Sequence, residues 1–285
     1  MIPYGLEQDY LNGKSVLFIG AGVSSRITRN NGKHLPGWNE FVLELVEYAF
    51  THGNINENEK SELIKLITEG KVLIAAQIII DDLKESEFQD FLTTIFCETK
   101  PDDAIYPLIC QMNFRALITT NFDTLIEDAF QRYSANKIKT WTQIDVKSNL
   151  ALLDEQFLLK LHGTYERQET VALGLQGYLK IIYGNEMCMK IMESLLLSNS
   201  FLFIGYGMND IDFNSLLDYI NYISGNNSRS HYLAVEKGIV TPYEKLYLKK
   251  HRNIIAIEYE NKTGQHEGLV DLLEELKKKK FSNRK

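Results

Sequence analysis

Cysteine is scarce in this sequence. Among its 285 residues only Cys97, Cys110 and Cys188 occur, far apart and never as a C-x-x-C pair. An odd number of isolated cysteines argues against a disulfide framework, and a structural zinc site needs clustered ligands. We therefore expect three buried thiols in a reducing compartment and no zinc.

The sequence also has no long hydrophobic run and no excess of positive charge. No apolar segment approaches the roughly 18 residues of a membrane span, and the N-terminal stretch MIPYGLEQDYLNGK lacks a signal-peptide pattern. We therefore expect a cytoplasmic protein without a membrane anchor.

The formal net charge is −7, which argues against direct nucleic-acid binding. The basic tail KKKKFSNRK is interpreted as a solvated helix end that suits the helix dipole.

Six short runs rich in β-branched and aromatic residues are predicted strands. They are apolar on both faces, which is typical of buried strands in a parallel sheet. Stretches with helical periodicity lie between them, at 122–133, 184–198, 240–251 and 266–280. This alternation predicts an α/β fold with a Rossmann-like, doubly wound parallel sheet. The predicted strands are 15–20, 115–120, 157–163, 200–207, 231–236 and 253–259.

One segment, from Trp38 to about Asn113, breaks this alternation. It has helical periodicity and no convincing strand, and its successive helices are expected to divide near Gly53 and near Gly70. We expect a helical insertion lobe at about residues 38–113, packed beside the sheet within a single domain spanning 1–285. A cleft between lobe and sheet edge would be a natural ligand site.

The first predicted strand leads into a glycine-rich turn, SVLFIGAGVSS. Gly20 and Gly22 let the backbone turn sharply and approach a ligand closely, and backbone N–H groups can then point at an anion. The full dinucleotide-binding fingerprint G-x-G-x-x-G would need glycine where Ser25 stands. A tight turn without a ligand therefore stays open as an alternative.

The second predicted strand ends in the polar stretch TTNFD, and a helix is predicted to follow at once. Thr120 or Asn121 could simply cap that helix, with Asp123 in its first turn. Alternatively, Asn121 and Asp123 lie at the carboxyl end of a central strand, where open α/β sheets bind ligands. An amide and a carboxylate there could hold the carboxamide and ribose of a nicotinamide nucleotide.

Two further predicted strands end in glycine or polar residues. In QFLLKLHG a lone histidine on a buried strand is most often a satisfied core residue. His162 is nevertheless the last side chain before a glycine, and an imidazole at the ligand edge could take a proton at neutral pH. In FLFIGYGMNDID, the predicted strand ends in a similar glycine turn at 205–207. Asn209 or Asp210, which follow this turn, is a candidate cap for the next helix.

Taken in order, GAGVS, TTNFD, LHG and GYGMNDID resemble the sirtuin-like NAD-binding family over about residues 14–260. Deacetylase sirtuins carry G-A-G-[IV]-S, T-Q-N-[IV]-D and L-H-G. The TTNFD and FLFIGYGMNDID forms look more like the bacterial branch, which includes NAD-consuming effectors of anti-phage systems such as Thoeris. The P-D-F-R signature and the zinc ribbon of deacetylases are both missing, so the resemblance favours water over an acyl-lysine as the nucleophile.

The resemblance implies a role for each matching position. Asn121 would position the nicotinamide ribose or an attacking water, and His162 would be the general base. Asp123 would bind near the carboxamide. The remaining implied NAD-binding residues are Gly20, Ala21, Gly22 and Ser24 along the phosphates, with Gly205, Tyr206, Asp210 and Glu236 on the adenosine side.

The implied activity is that of an NAD glycohydrolase, which uses NAD as substrate and releases nicotinamide and ADP-ribose. It would act as a regulated effector of anti-phage defence by abortive infection. The alternatives are a subunit that binds NAD or ADP-ribose without turnover, and a protein deacylase or ADP-ribosyltransferase. Because constant NAD loss would kill the host, we expect a regulator: a separately encoded partner, or homo- or hetero-oligomerisation. NAD versus NADP, and hydrolysis versus cyclisation, stay open.

Overall fold

A parallel β-sheet forms the centre of the computed structural model, which describes residues 2–208, 211–225 and 227–282. Its seven strands lie in the order β3-β4-β2-β1-β5-β6-β7, and every pair is parallel. The predicted α/β fold with a doubly wound parallel sheet is therefore confirmed. The strands are β1 (Ser15–Ile19), β2 (Leu117–Thr119), β3 (Lys139–Thr142), β4 (Phe157–Lys160), β5 (Ser200–Ile204), β6 (His231–Glu236) and β7 (Ile254–Tyr259).

Strand β1 lies at the point where the strand order reverses. It pairs with β2 on one side and β5 on the other, with Leu17 opposite both Leu117 and Leu202. In open α/β sheets, ligands bind at the carboxyl ends of the strands beside such a reversal. All residues of β1, β2, β4 and β5 are buried, which is why these strands, apart from Lys160 at the end of β4, are largely apolar on both faces.

Helices cover both faces of the sheet, and both hydrophobic clusters of the described residues contain aromatic pairs. Tyr10 packs on Phe114 at 5.3 Å between ring centroids, on one face, and Phe18 packs on Phe213 at 4.5 Å on the other. The helices are α1 (Tyr4–Leu11), α2 (Ala21–Ser24), α3 (Trp38–Thr51), α4 (Glu57–Thr68), α5 (Val72–Asp82), α6 (Glu85–Phe96), α7 (Ile105–Gln111), α8 (Leu125–Tyr133), α9 (Gly174–Gly184), α10 (Glu186–Ser198), α11 (Ile211–Ser224), α12 (Pro242–Arg252) and α13 (Glu267–Ser282).

Helices α3 to α7 lie along the chain between β1 and β2, in the segment for which an insertion lobe is predicted. The buried face of α3 turns toward the sheet, and its Phe41 ring lies 5.6 Å from that of Phe122, just beyond β2. Helix α4 begins with a capping box, in which the Asn56 side chain accepts from two backbone N–H groups. The lobe thus contacts the sheet at its carboxyl edge. That the whole chain forms one domain stays a prediction.

Helix α8 corrects one detail of the sequence analysis. It begins at Leu125 with Thr124 as its N-cap, so neither Thr120 nor Asn121 caps it. Asp123 lies before the first turn rather than in it, and its Oδ1 accepts a hydrogen bond from the Leu125 N–H at 3.1 Å. Thr120 and Asn121 therefore do not cap the helix, whereas Asp123 binds the N–H of its first residue.

Two of the three cysteines are less buried than expected. Cys188 is buried, Cys110 is half-buried and Cys97 is exposed, because Cys97 follows the last residue of α6. Burial raises the pKa of the Cys110 thiol to about 12. None of the helices in the described ranges is both long and apolar enough to cross a membrane.

Candidate active site

A cavity of about 450 Å³ opens at the carboxyl edge of the sheet. This volume lies within the roughly 300–1,000 Å³ of small-molecule sites. Its walls come from both halves of the sheet and from the lobe, with Trp38, Phe41 and Phe96 on the lobe side. The sequence-predicted site residues that line it are Ala21, Gly22, Ser24, Asn121, Asp123, His162, Gly205, Tyr206 and Glu236. Asp210 lies outside the described residues.

Three glycines bring the ends of β1 and β5 into contact. The N–H of Gly20 donates to the Ile204 carbonyl at 2.9 Å, and that of Gly22 donates to the Gly205 carbonyl at 2.8 Å. A Cβ on Gly20 would lie 2.4 Å from the Gly205 oxygen, and one on Gly205 would lie 2.4 Å from the Val23 nitrogen. These two N–H groups are thus engaged within the protein, and Gly20 packs behind the cavity wall.

A buried hydrogen-bond chain connects the residues after β1 and β2. Ser24 Oγ donates to Asp123 Oδ2 at 2.7 Å and accepts from Asn121 Nδ2 at 3.0 Å. Tyr106 OH lies 3.4 Å from the same Oγ. Asn121 is 7% exposed and Asp123 is 5% exposed. The chain therefore holds the predicted amide and carboxylate in fixed positions at the cavity wall.

A lysine that the sequence analysis did not single out lies behind this chain. Lys160, on β4, is fully buried. Its Nζ donates to the backbone carbonyl of Asp123, and to Glu127 Oε1 at 3.0 Å. Burial raises the pKa of the Asp123 carboxyl, and the Lys160 charge opposes that shift. The same two effects act on Glu127, whose pKa is also raised.

His162 lies just beyond the carboxyl end of β4 and lines the cavity. This is the ligand edge of the sheet, which is the place considered for it in the sequence analysis. It is 2% exposed, and its ring packs 4.9 Å from that of Tyr178 on α9. The glycine after it is required by geometry, because Gly163 has φ +86° and a Cβ there would lie 2.2 Å from the Thr170 oxygen. The turn and the Tyr178 ring together fix the imidazole.

The opposite end of the cavity has its own polar cluster. Tyr259 OH lies 3.0 Å from His266 Nδ1, and Asn261 Nδ2 donates to Glu236 Oε2 at 2.8 Å. Burial, aided by the Glu236 charge, raises the pKa of Tyr259 to about 12. Tyr259 and His266 were missed in the sequence. The position of Tyr259 at the end of β7 was the available signal.

The loop after α2 closes one side of the cavity through its Leu35–Trp38 segment. Arg29 holds this loop to α3, since its guanidinium donates to both carboxylate oxygens of Glu44 at 2.7 and 2.8 Å. Its Nε also donates to the His34 carbonyl at 3.0 Å. A bidentate pair of this kind fixes geometry as well as charge. Arg29 lies in the stretch after Ser25, where deacetylases have the P-D-F-R signature that this chain lacks.

Within residues 2–208, 211–225 and 227–282, no group of three or more His, Cys, Asp or Glu side chains could hold a metal ion. The ionisable groups that line the cavity are Asp123, His162, Glu236, Tyr259, His266 and Tyr206. This wall suits a ligand with a cationic or hydroxyl-rich part. It can bind such a ligand and offers an imidazole for proton transfer.

Comparison with known proteins identifies the family of this chain. The family described as a SIR2-like domain matches residues 115–257, about half of the chain. This chain belongs to the SIR2-like domain family. The predicted membership of a sirtuin-like family is therefore confirmed, and the matched range contains Asn121, Asp123, His162 and Glu236.

Relatives of this SIR2-like chain include proteins named for defence and for NAD hydrolysis. Defense-associated sirtuin 2 of Bacillus subtilis is 27% identical over 213 residues, which cover 73% of this chain and 19% of the relative. NAD(+) hydrolase ThsA of Cytobacillus dafuensis is 30% identical over 136 residues, which cover 46% and 26%. NAD(+) hydrolase ThsA of Enterococcus faecium is 22% identical over 236 residues, which cover 79% and 44%. The chain thus spans less than half the length of these relatives.

Proposed function

We propose that this chain hydrolyses the bond between nicotinamide and ribose in NAD, releasing nicotinamide and ADP-ribose. The observation that carries the proposal is the convergence of Asn121 and His162 on one cavity. They come from the carboxyl ends of adjacent strands in a SIR2-like chain with relatives named NAD(+) hydrolase.

The chemistry needs few protein groups. The C1′–N bond breaks and its electron pair moves to the pyridinium nitrogen, so nicotinamide leaves as a neutral molecule. Positive charge passes to the ribose, where a water oxygen attacks C1′. His162 takes the proton of that water and passes it to solvent, and Asn121 holds the water or a ribose hydroxyl. A positioned general base supplies about 10² to 10⁴ in rate, and preorganised polar groups contribute much of the rest.

The surroundings of His162 favour water over a protein side chain as the nucleophile. The imidazole is 2% exposed and one side of its ring packs on Tyr178. Trp38 packs on Tyr178 in turn, with 6.3 Å between centroids. A water molecule needs far less room at such a place than an acyl-lysine does.

The biological setting is proposed from the names of the relatives. We propose a cytoplasmic, NAD-depleting effector of bacterial anti-phage defence, acting by abortive infection. Its activity would be controlled by a partner protein or by oligomerisation, since unregulated NAD loss would kill the cell. The matched part covers only 19% of one relative and 44% of another. In those relatives, the unmatched sequence is a further candidate for a regulatory region.

The test is nicotinamide release from NAD by the wild type, Asn121→Ala and His162→Ala, with and without the products of neighbouring genes. We expect release by the wild type and a loss of at least about 100-fold in each variant. Asn58→Ala and His251→Ala change exposed residues far along the chain and serve as controls. Failure of the wild type to release nicotinamide while it binds NAD would instead support a sensing subunit.

A further inference from the structure

Lys160 is an unusual residue for its position. It lies on β4, two residues before His162, and is fully buried. Removing an ammonium group from water costs several kcal/mol unless it is paired and hydrogen-bonded. Its partners are the Asp123 carbonyl, Glu127 Oε1 at 3.0 Å and Thr164 Oγ1 at 3.3 Å. One ammonium group therefore contacts the backbone of the buried Asp123 and the partly buried carboxyl of Glu127, whose side chain is 24% exposed.

The segment after β2, which carries Asn121 and Asp123, is anchored from the same side. The Tyr165 N–H donates to the Phe122 carbonyl at 3.0 Å. Together with the bond from Lys160 to the Asp123 carbonyl, this ties two successive residues of the segment to the chain around β4. The backbone of the segment is thus fixed independently of any ligand.

The order of hydrogen bonds in the side-chain network follows from the charge of Asp123. Both carboxylate oxygens accept, Oδ1 from the Leu125 N–H and Oδ2 from Ser24 Oγ. Ser24 has a single hydroxyl proton, and it is committed to Asp123. Ser24 can therefore only accept from Asn121, which must turn its Nδ2 toward it. The buried Asn121 Oδ1 accepts nothing from the part of the chain that the structure describes.

Protonation of Asp123 would reverse this order. A neutral Asp123 would donate to Ser24, and the Ser24 proton would then point at Asn121. The amide would turn to accept it with Oδ1 and would leave Nδ2 unused. The free atom of Asn121 would change from an acceptor, which suits a ribose hydroxyl or water proton, to a donor, which does not.

We propose that Lys160 is a positioning residue, whose ammonium keeps Asp123 a carboxylate and thereby, through Ser24, fixes the Asn121 amide with Oδ1 free for a bound hydroxyl or water. The identity of that ligand rests on the proposed function, whereas the hydrogen-bond order does not. In this arrangement Asp123 acts through Ser24 and Asn121 rather than on the nicotinamide itself.

Charged and titratable groups reach Asp123 from several elements. Lys160 comes from β4, Glu127 and Asp128 come from α8, and Tyr106 comes from α7. Burial raises the Asp123 pKa most, Asp128 raises it further, and Lys160 opposes both. Without the Lys160 ammonium, burial and Asp128 would raise the Asp123 pKa further, because the main group that lowers it would be gone.

The decisive experiment is a pH titration of the Asp123 carboxyl carbon by NMR in the full chain, without NAD. Lys160→Met alone leaves the partly buried Glu127 without its cationic partner, so Lys160→Met/Glu127→Gln is made as well, since removing both charges of a pair is better tolerated than removing one. We expect the Asp123 midpoint to rise by about one to three pH units in both variants. Glu127→Gln alone is the control and should not raise it.

A second signal reports the orientation of the amide. In the wild type, the side-chain NH₂ resonances of Asn121 should shift with the same midpoint as the Asp123 carboxyl carbon, and this midpoint should move with it in the double variant. The role of Lys160 would be overturned if the Asp123 midpoint were the same in the double variant as in the wild type. It would also be overturned if the Asn121 NH₂ resonances did not titrate with the Asp123 midpoint. This outcome does not depend on whether the chain cleaves NAD.

Turnover gives the functional consequence. At pH values between the wild-type and the raised Asp123 midpoints, kcat for nicotinamide release in the double variant should fall by up to about 100-fold, as expected for a misplaced catalytic group, with KM nearly unchanged. The acidic limb of the pH profile should move upward with the NMR midpoint. A merely structural loss would lower activity equally at all pH values. Absence of release in the wild type would contradict the proposed hydrolysis, while the NMR midpoints would still decide the role of Lys160.

Discussion

At the scale of single residues, position in the sheet decides what an ionisable side chain does. His162 and His231 both lie on or just after buried strands, and each is at most 2% exposed. His162 lines the cavity, whereas His231 begins β6 and its Nδ1 accepts a hydrogen bond from the Phe201 N–H at 3.2 Å. The alternative interpretation of a lone strand histidine, a satisfied core residue, thus describes His231.

The buried His231 should make stability depend on pH. Burial lowers its pKa from 6.5 to about 4. Between pH 6.5 and pH 4, His231 is therefore protonated in the unfolded chain but neutral in the folded chain. Stability is fully present above pH 6.5 and falls as the pH drops toward 4. We expect a loss of about 2 kcal/mol between pH 7 and pH 5, measured by urea unfolding.

His231→Gln should remove most of this slope, because glutamine keeps an acceptor for the Phe201 N–H and does not titrate. His251→Gln changes an exposed histidine on α12 and should leave the slope intact. Equal slopes in the wild type and His231→Gln would refute the assignment.

The residues of the candidate site were predictable in part. Glycine and polar residues at strand ends indicated Gly22, Asn121 and His162 because the carboxyl ends of parallel strands share one edge. Lys160 was not found, although a charge inside the apolar run FLLKL was a signal. Its meaning depends on Glu127, which lies 33 residues away on α8, and sequence spacing does not reveal that contact.

At the scale of elements, apolar runs identified six of the seven strands, and helical periodicity identified the lobe. Strand β3 was missed because KTWT is short, lies at the sheet edge and is only partly buried. Helix α9 was missed because Gly174 and Gly177 weaken its helical pattern. Gly174 is needed there, since it has φ +73° and a Cβ would lie 2.9 Å from the Gln77 Cα.

The attachment of the closing loop to α3 can be tested with two neighbouring glutamates. Glu44→Gln weakens the bidentate pair with the buried Arg29, which should loosen the Leu35–Trp38 wall and raise KM for NAD about tenfold with little change in kcat. Glu47→Gln, one turn further along α3, weakens the pair with Lys60, in which Glu47 is 57% exposed. Such exposed pairs contribute little, so KM should stay unchanged.

Hydrogen exchange of residues 26–37 gives a second readout, because it measures local opening without NAD. Faster exchange in Glu44→Gln than in Glu47→Gln is expected. Identical exchange and identical KM in the two variants would mean that Arg29 does not hold the loop.

At the scale of the whole molecule, the cavity joins parts that are distant along the chain. Its walls run from Ala21 to His266 and include the lobe, both halves of the sheet and the loop after β7. A ligand that fills it contacts all of these parts at once. Binding should therefore stabilise the complete fold rather than one segment.

ADP-ribose, the proposed product, should raise the free energy of unfolding by about 2.7 kcal/mol at a concentration 100 times its Kd. The measurement is urea unfolding at increasing ADP-ribose, with inorganic pyrophosphate at equal concentration as a control for non-specific anion binding. A midpoint that pyrophosphate shifts as much as ADP-ribose does would argue against a nucleotide site.

The place of β1 in the sheet also bears on how the protein is made. Ser15 pairs with Ser200, and Val16 with Phe201, so β1 gains its second neighbour only after about 180 further residues have been translated. Ribosomes add about 5–20 residues per second, so this wait is on the order of ten seconds or more. A nascent chain still lacks Gly205 and Glu236 during that time. The cavity of a nascent chain is thus incomplete until residues as far as His266 have been translated.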